Sequence, residues 1–198
     1  MSLDEAKLAV RKEIFRSTPT MNPSAQFPLK EITTPEVWTR LHAQIFKITD
    51  GAREDEDYLV YRKQIYGLGG GFGGYGIMSM CVADLNGDGR PALLFSYSWG
   101  SGIHRSLIGL WSGGPLWIDA QPALRNYDLL LEKVDDTRVR IAYGTFNPAK
   151  GRIDRQGEFG TLHFAESGQN SRLDIFLSQQ LPQAVADSVW YQPQRSQE

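Results

Sequence analysis

Residues 84–90 read Asp-Leu-Asn-Gly-Asp-Gly-Arg and carry oxygen-bearing side chains at every second position. In this spacing the side chains of Asp84, Asn86 and Asp88 converge on one point, and the main-chain carbonyl of Arg90 adds a further oxygen. The glycine before Arg90 permits a sharp turn because it has no Cβ to clash. The predicted chemistry is coordination of a hard cation such as Ca²⁺, with Asp84, Asn86, Asp88 and Arg90 as metal ligands.

The same segment is also typical of a tight turn without a metal. Asn86-Gly87 is a strong signal for a two-residue hairpin turn, and Asp88-Gly89 is a second turn pair. Aspartates in such turns accept hydrogen bonds from backbone amides. Ca²⁺ takes six to eight oxygens and the loop supplies about four, so the predicted affinity is weak, on the order of 10⁻⁴–10⁻³ M. Both interpretations stay open at this point.

Residues 82–94 resemble the FG-GAP or VCBS-type repeat, in which a strand runs into an Asp-x-Asn/Asp-x-Asp-Gly loop and then into a second strand. The resemblance covers these residues only and implies a structural calcium loop in a domain that recognises a protein or a carbohydrate. The family pattern has an acidic ligand at the ninth loop position, where this chain has Ala92. An EF-hand is not favoured, because Phe95 stands where that motif needs glutamate.

Two further stretches are rich in groups that could contact a ligand. Residues 67–76 contain seven glycines together with Phe72 and Tyr75. Residues 96–106 combine serines with Tyr97, Trp99 and basic side chains. Because ligand pockets mix aromatic rings with a few polar groups, Phe72, Tyr75, Tyr97 and Trp99 are the predicted ligand-binding residues.

The alternative to a binding domain is a hydrolase that uses the 96–106 segment. Its candidate catalytic residues are Ser101, His104 and Arg105, although no Gly-x-Ser-x-Gly elbow is present and closeness in sequence does not establish a triad. A third interpretation is an accessory domain with no ligand of its own. The sequence leans toward a protein that is not an enzyme.

Composition and charge exclude some classes of protein. The 198 residues carry a formal net charge of −2, which argues against a nucleic-acid partner. No run of about 18 apolar residues predicts a membrane span. The one cysteine, Cys81, is predicted to be a buried small hydrophobe. Residues 3–16 are too charged for a signal peptide, so an extracellular or periplasmic location is favoured only if a leader preceded them.

The elements that position these residues begin with helices. Residues 4–16 show an apolar stripe that includes Leu8, and residues 17–31 are predicted to be an extended connector. A second helix is predicted to begin at Pro35 and to present Val37, Leu41, Ile45 and Ile48 before it ends at residues 49–51. The predicted division is an N-terminal helix and connector over 1–31 and a single β-rich domain with a leading helix over 32–198.

From Tyr58 onward the pattern predicts strands joined by short turns. The predicted fold class is α+β, with N-terminal helices followed by a mainly antiparallel β-sheet that forms a sandwich, a barrel or a curved meander. Residues 77–83 and 92–99 are predicted to be strands on either side of the 84–91 loop. That loop is therefore expected to join two adjacent antiparallel strands, with or without a metal.

Overall fold

A computed structural model describes residues 1–17, 28–49, 57–69, 73–100, 104–114, 117–167 and 170–191. The described helices are α1 (Leu3–Ser17), α2 (Pro35–Leu41) and α3 (Gln183–Ala186). The described ranges also contain fourteen strands in three sheets, and neighbouring strands within each sheet pair antiparallel. The predicted α+β class is confirmed. No helix in these ranges is long and apolar enough to cross a membrane.

Helix α1 is amphipathic, as predicted, but its buried stripe differs by one residue. Ala6, Val10 and Ile14 are fully buried and lie four residues apart, which places them on one face of the helix. The sequence predicts Leu8 on that face, whereas Leu8 is 53% exposed. Leu8 is two residues from both Ala6 and Val10. Because an α-helix has 3.6 residues per turn, residues two apart lie on different sides of the helix, so Leu8 points away from the packed face.

Helix α2 begins where the sequence predicts and ends at Leu41, about two turns before the predicted end at residues 49–51. The Thr34 hydroxyl accepts a hydrogen bond from the Val37 amide at 3.3 Å, which caps the first turn. Its C-cap residue, His42, adopts a left-handed conformation with φ 52°. The predicted continuation through Ile45 and Ile48 is wrong, because residues 44–48 form a strand that is buried on both faces.

The N-terminal sheet follows the chain order of its four antiparallel strands. Its strands are β1 (Leu29–Glu31), β2 (Gln44–Ile48), β3 (Asp57–Tyr61) and β4 (Gln64–Leu68). Strands β3 and β4 form a tight hairpin, in which Tyr61 pairs with Gln64 around the two-residue turn Arg62-Lys63.

The central sheet has six strands and carries the 84–91 loop. Its strands are β5 (Gly76–Ala83), β6 (Ala92–Trp99), β7 (Arg105–Trp111), β8 (Ile118–Asp119), β9 (Ala123–Arg125) and β14 (Val189–Trp190). The order is β14-β9-β7-β6-β5, and β8 also pairs with β7. Ala83 pairs with Ala92 across the β5–β6 hairpin, so the prediction that the loop joins adjacent antiparallel strands is confirmed.

The C-terminal sheet consists of four antiparallel strands in chain order. They are β10 (Asp128–Lys133), β11 (Val139–Asn147), β12 (Arg152–Ser167) and β13 (Asn170–Leu177). On β11, Val139, Ile141 and Tyr143 are buried and Arg140 is exposed, whereas the small side chain of Ala142 is buried as well.

Three hydrophobic clusters show that these elements stack in four layers. One cluster joins α1 to the N-terminal sheet, a second joins that sheet to the central sheet, and a third joins the central sheet to the C-terminal sheet. The central sheet is therefore covered on both faces. Leu93 and Phe95 belong to one of its clusters and Leu94 to the other, which explains the continuous apolar run in β6.

Candidate functional site

The 84–90 loop coils around the side chain of Asp84. Asp84 Oδ1 accepts a hydrogen bond from the Asp88 amide at 3.1 Å, and Asp84 Oδ2 accepts one from the Gly89 amide at 2.8 Å. The Asp88 carboxylate accepts from the Arg90 amide at 2.8 Å and from the Asn86 side-chain amide at 3.0 Å. The amide-to-carboxylate bonds expected of a turn are therefore present.

These bonds also leave the loop with groups that fit a hydrated calcium site. Each of the four carboxylate oxygens of Asp84 and Asp88 accepts a hydrogen bond, and a carboxylate oxygen can accept two. Ala92, at the ninth position, begins β6 and is 7% exposed, so it adds no oxygen ligand. No three His, Cys, Asp or Glu side chains gather into a metal-binding group within the described ranges. The donor set fits only a site completed largely by water.

The loop is anchored by a charge cluster, which consists of Glu36, Arg40, Lys133 and Asp136. The Val82 amide donates to Glu36 Oε2 at 3.1 Å, and the Val82 carbonyl accepts from Arg40 at 2.9 Å and from Lys133 at 2.6 Å. The main-chain carbonyl of Asp136 accepts from the Asp84 amide at 2.7 Å. Helix α2 and the β10–β11 turn therefore hold the point where β5 enters the loop.

The charge cluster shifts the pKa values of its members. Burial acts to raise the pKa of Glu36, but hydrogen bonds from Lys133, the Val82 amide and Arg40 outweigh it and hold that pKa below 4.5. Hydrogen bonds from Lys133 and Arg40 lower the pKa of Asp136 below 3.8. Burial acts to lower the pKa of Lys133, yet its bonds to Asp136 and Glu36 raise that pKa above 10.5.

The stability that these carboxylates contribute is expected to be present above pH 4.5 and to be lost as the pH falls toward their lowered pKa values. The stability that the Lys133 ammonium group contributes is fully present below pH 10.5 and is lost only as the pH rises above that value. We expect Glu36→Gln to lower the free energy of unfolding by roughly 1–2 kcal/mol at pH 7, because it removes hydrogen bonds to a charged group.

Denaturant unfolding between pH 7 and pH 3 checks this expectation. The difference between wild type and Glu36→Gln should shrink as the pH falls below 4.5, the ordinary pKa of the carboxyl. Glu158→Gln, at an exposed position on β12, is the matched control and should stay within about 0.5 kcal/mol of wild type. A difference between wild type and Glu36→Gln that is constant over the whole range would contradict the ionic role of Glu36.

The two predicted aromatic residues whose side chains the structure describes, Tyr97 and Tyr75, lie in different surroundings. Tyr97 is 4% exposed and belongs to the core between the N-terminal and central sheets, so its ring presents no open face to a ligand. Its hydroxyl donates to Asp119 at 2.9 Å. Tyr75 is 36% exposed, and its ring centroid lies 4.5 Å from that of Phe146. Phe72 and the side chain of Trp99 lie outside the described part of the structure.

The candidate catalytic residues occupy different surroundings from one another. His104 Nε2 lies 2.7 Å from Asp128 Oδ1, and the Asp128 side chain is 4% exposed. The guanidinium carbon of Arg105 stands 4.7 Å from the centre of the Trp190 ring. Ser101 lies outside the described residues, and within them no hydroxyl or thiol contacts His104. The hydrolase alternative therefore stays a prediction.

Cys81 is buried on β5, as the sequence predicts. Burial raises the pKa of its thiol to about 12, and the nearby Glu36 carboxylate adds to the effect. Because the thiolate is the nucleophilic form of cysteine, this side chain is unsuited to nucleophilic chemistry at neutral pH.

The structure also forms a cleft that the sequence did not predict. Arg40, His42, Tyr61, Arg62, Arg90 and Trp111 line this arginine cleft, which has a volume of about 460 Å³. They come from the end of α2, the β3–β4 turn, the 84–91 loop and the end of β7. A volume in this range suits a small molecule or a few side chains of a partner.

The protein thus has a layered α+β fold with a tight β5–β6 turn beside a cleft lined by arginines. Comparisons with protein-family models, with curated proteins and with solved structures gave no match for this chain. The FG-GAP resemblance of residues 82–94 accordingly stays a prediction, and the function must be argued from the geometry alone.

Proposed function

We propose that this protein is a non-enzymatic binding or accessory domain whose 84–90 loop binds Ca²⁺ weakly and for a structural purpose. The observation that supports the proposal is the position of Asp84, whose two carboxylate oxygens are oriented by the amides of Asp88 and Gly89. Orientation by backbone amides brings the Asp84 and Asp88 side chains toward the same turn. The loop would then offer two carboxylates, the Asn86 amide oxygen and the Arg90 carbonyl.

A cation would stabilise the loop because it offsets the repulsion between two carboxylates held in one turn. The loop also needs left-handed backbone at Gly87 and Gly89, with φ of 69° and 81°, and open space surrounds both. With a dissociation constant of about 10⁻³ M, roughly 10 mM Ca²⁺ would stabilise the folded state by about 1.4 kcal/mol.

The direct test is thermal unfolding with and without added calcium. We expect roughly 10 mM CaCl₂ to raise the melting temperature by roughly 3–6 °C relative to NaCl of equal ionic strength. Asp84→Asn keeps the shape of the side chain and loses its charge, so it should abolish most of that rise. Asp4→Asn, at an exposed position in α1, is the matched control and should preserve the rise. A wild-type protein indifferent to calcium in this range would refute the proposed metal.

Recognition of a protein or a carbohydrate is the second half of the proposal. Tyr75 supports it as an exposed aromatic side chain that packs on Phe146. The position of the loop supports it too, because Gly89, Arg90 and Pro91 line one side of the arginine cleft. A cation bound in the loop would order that side of the cleft. A purely accessory domain would show the calcium response and bind no ligand.

A further inference from the structure

The arginine cleft concentrates positive charge that the described residues do not neutralise fully. Arg40 is committed to the charge cluster, since its guanidinium contacts Asp136 at 2.8 Å and the Val82 carbonyl at 2.9 Å. In contrast, no carboxylate in the described ranges pairs with Arg62 or Arg90. These two arginines lie on different segments and line the same cleft.

Arg62 is exposed, and its guanidinium lies over an aromatic ring. Its guanidinium carbon lies 5.0 Å from the centre of the Tyr61 ring. The Tyr61 ring meets Trp111 edge-on, with centroids 5.2 Å apart, and Trp111 Nε1 donates to the Gly114 carbonyl at 2.7 Å. A guanidinium stacked in this way directs its N–H donors outward in its own plane, where a carboxylate or phosphate can accept two of them.

The backbone gives a second, independent indication that the Arg62 side chain has a role. Arg62 and Lys63 form the β3–β4 turn with φ of 48° and 66°, left-handed conformations that favour Asn and Gly in such hairpins. His42, which also lines the cleft, is left-handed too, at a helix end where glycine is preferred. Non-glycine residues in this region strain the backbone and cluster at ligand-binding sites.

We infer that the arginine cleft binds a small ligand through a carboxylate or phosphate group held between Arg62 and Arg90. The inference rests on the proposed function only in treating the protein as a binding domain, and it does not require calcium. Arg90 is positioned by the hydrogen bond from its amide to Asp88 at 2.8 Å, so the loop that carries the predicted metal ligands also presents one arginine to the ligand.

The test uses succinate and inorganic phosphate as probes, each compared with NaCl at equal ionic strength and in the presence of EDTA. Tryptophan fluorescence and thermal unfolding should both show a saturable response to one probe or to both. A response to succinate alone identifies a carboxylate ligand, and a response to phosphate alone identifies a phosphate ligand. If neither probe acts beyond NaCl, the inference is wrong.

Two variants in one turn separate binding from folding. Arg62→Gly should weaken binding at least about tenfold, because a charge-assisted hydrogen-bond pair is lost. Lys63→Gly is the matched control, since it relieves the same left-handed strain and removes the same charge outside the cleft lining. Both variants should melt a few degrees higher than wild type, and only Arg62→Gly should lose the ligand. Equal loss of binding in both would overturn the inference.

Arg90→Gln provides a second check from the other side of the cleft. This variant should also weaken anion binding about tenfold or more while the loop backbone is preserved. Unchanged affinity would exclude Arg90 and overturn the proposed pair of arginines.

The calcium proposal and the anion proposal can be refuted independently of each other. If calcium does not raise the melting temperature but succinate or phosphate still binds, only the proposed calcium loop is refuted. If calcium raises the melting temperature but neither anion binds, only the proposed anion site in the arginine cleft is refuted.

Discussion

Replacing Trp111 by alanine is expected to lower the free energy of unfolding by about 3–5 kcal/mol. The indole is 2% exposed, and it packs against Tyr61 and Tyr66 at centroid distances of 5.2 Å and 5.7 Å. Those tyrosines belong to β3 and β4, whereas Trp111 ends β7. The substitution would therefore remove a contact that holds the N-terminal sheet against the central sheet. Denaturant unfolding of the purified variant measures the effect.

Trp38→Ala is the matched control for this substitution. Trp38 lies on α2 and is 48% exposed, so its loss should cost less than about 1 kcal/mol. The loss in free energy of unfolding for Trp111→Phe should lie between those for Trp111→Ala and Trp38→Ala. Phenylalanine keeps an aromatic ring but loses the hydrogen bond to the Gly114 carbonyl. Equal costs for Trp111→Ala and Trp38→Ala would contradict the packing of β7 against the N-terminal sheet.

Replacing Asp128 by alanine is expected to cost about 2–4 kcal/mol, because two groups lose a bond to a buried carboxylate. Asp128 begins β10, and its Oδ2 accepts from the Phe146 amide on β11 at 2.8 Å. Its Oδ1 accepts from His104, which precedes β7, at 2.7 Å. One side chain thus connects the central and C-terminal sheets. Denaturant unfolding at neutral pH measures the cost.

Asp128→Asn distinguishes the loss of charge from the loss of partners. Asparagine can still accept from the Phe146 amide and donate to the other tautomer of His104, so the cost should fall to about 1 kcal/mol. Circular dichroism should show the same strand content in both variants. If Asp128→Ala costs no more than Asp128→Asn, the carboxylate is not the connection between the sheets that its contacts indicate.

The β5–β6 hairpin could be predicted from the sequence because its signals are local. Asn86-Gly87 and Asp88-Gly89 determine the turn, and the apolar runs on both sides determine the strands. The end of α2 could not be predicted in the same way. Val37, Leu41, Ile45 and Ile48 follow helical spacing, yet a strand buried on both faces produces apolar residues at that spacing too. Only the left-handed His42 separates the two elements.

The arginine cleft was missed because its residues are far apart along the chain. Arg40, Arg62, Arg90 and Trp111 meet only after the N-terminal sheet packs on the central sheet. The one local signal was the pair Arg62-Lys63 between two strand patterns, where a hairpin turn would ordinarily use Asn or Gly. The burial of Tyr97 is a second feature that local sequence does not show. Its polar neighbours in sequence favour an open ligand site, whereas tertiary packing buries its ring.

The charge cluster has a consequence for how this protein behaves at high concentration. Strand β5 is the last strand of the central sheet, and outer backbone groups left unoccupied there could pair with a second molecule. At Val82 both of these groups are already occupied, by Glu36, Arg40 and Lys133. The charge cluster thus disfavours edge-to-edge pairing at Val82, and acidification that protonates Glu36 would weaken this protection.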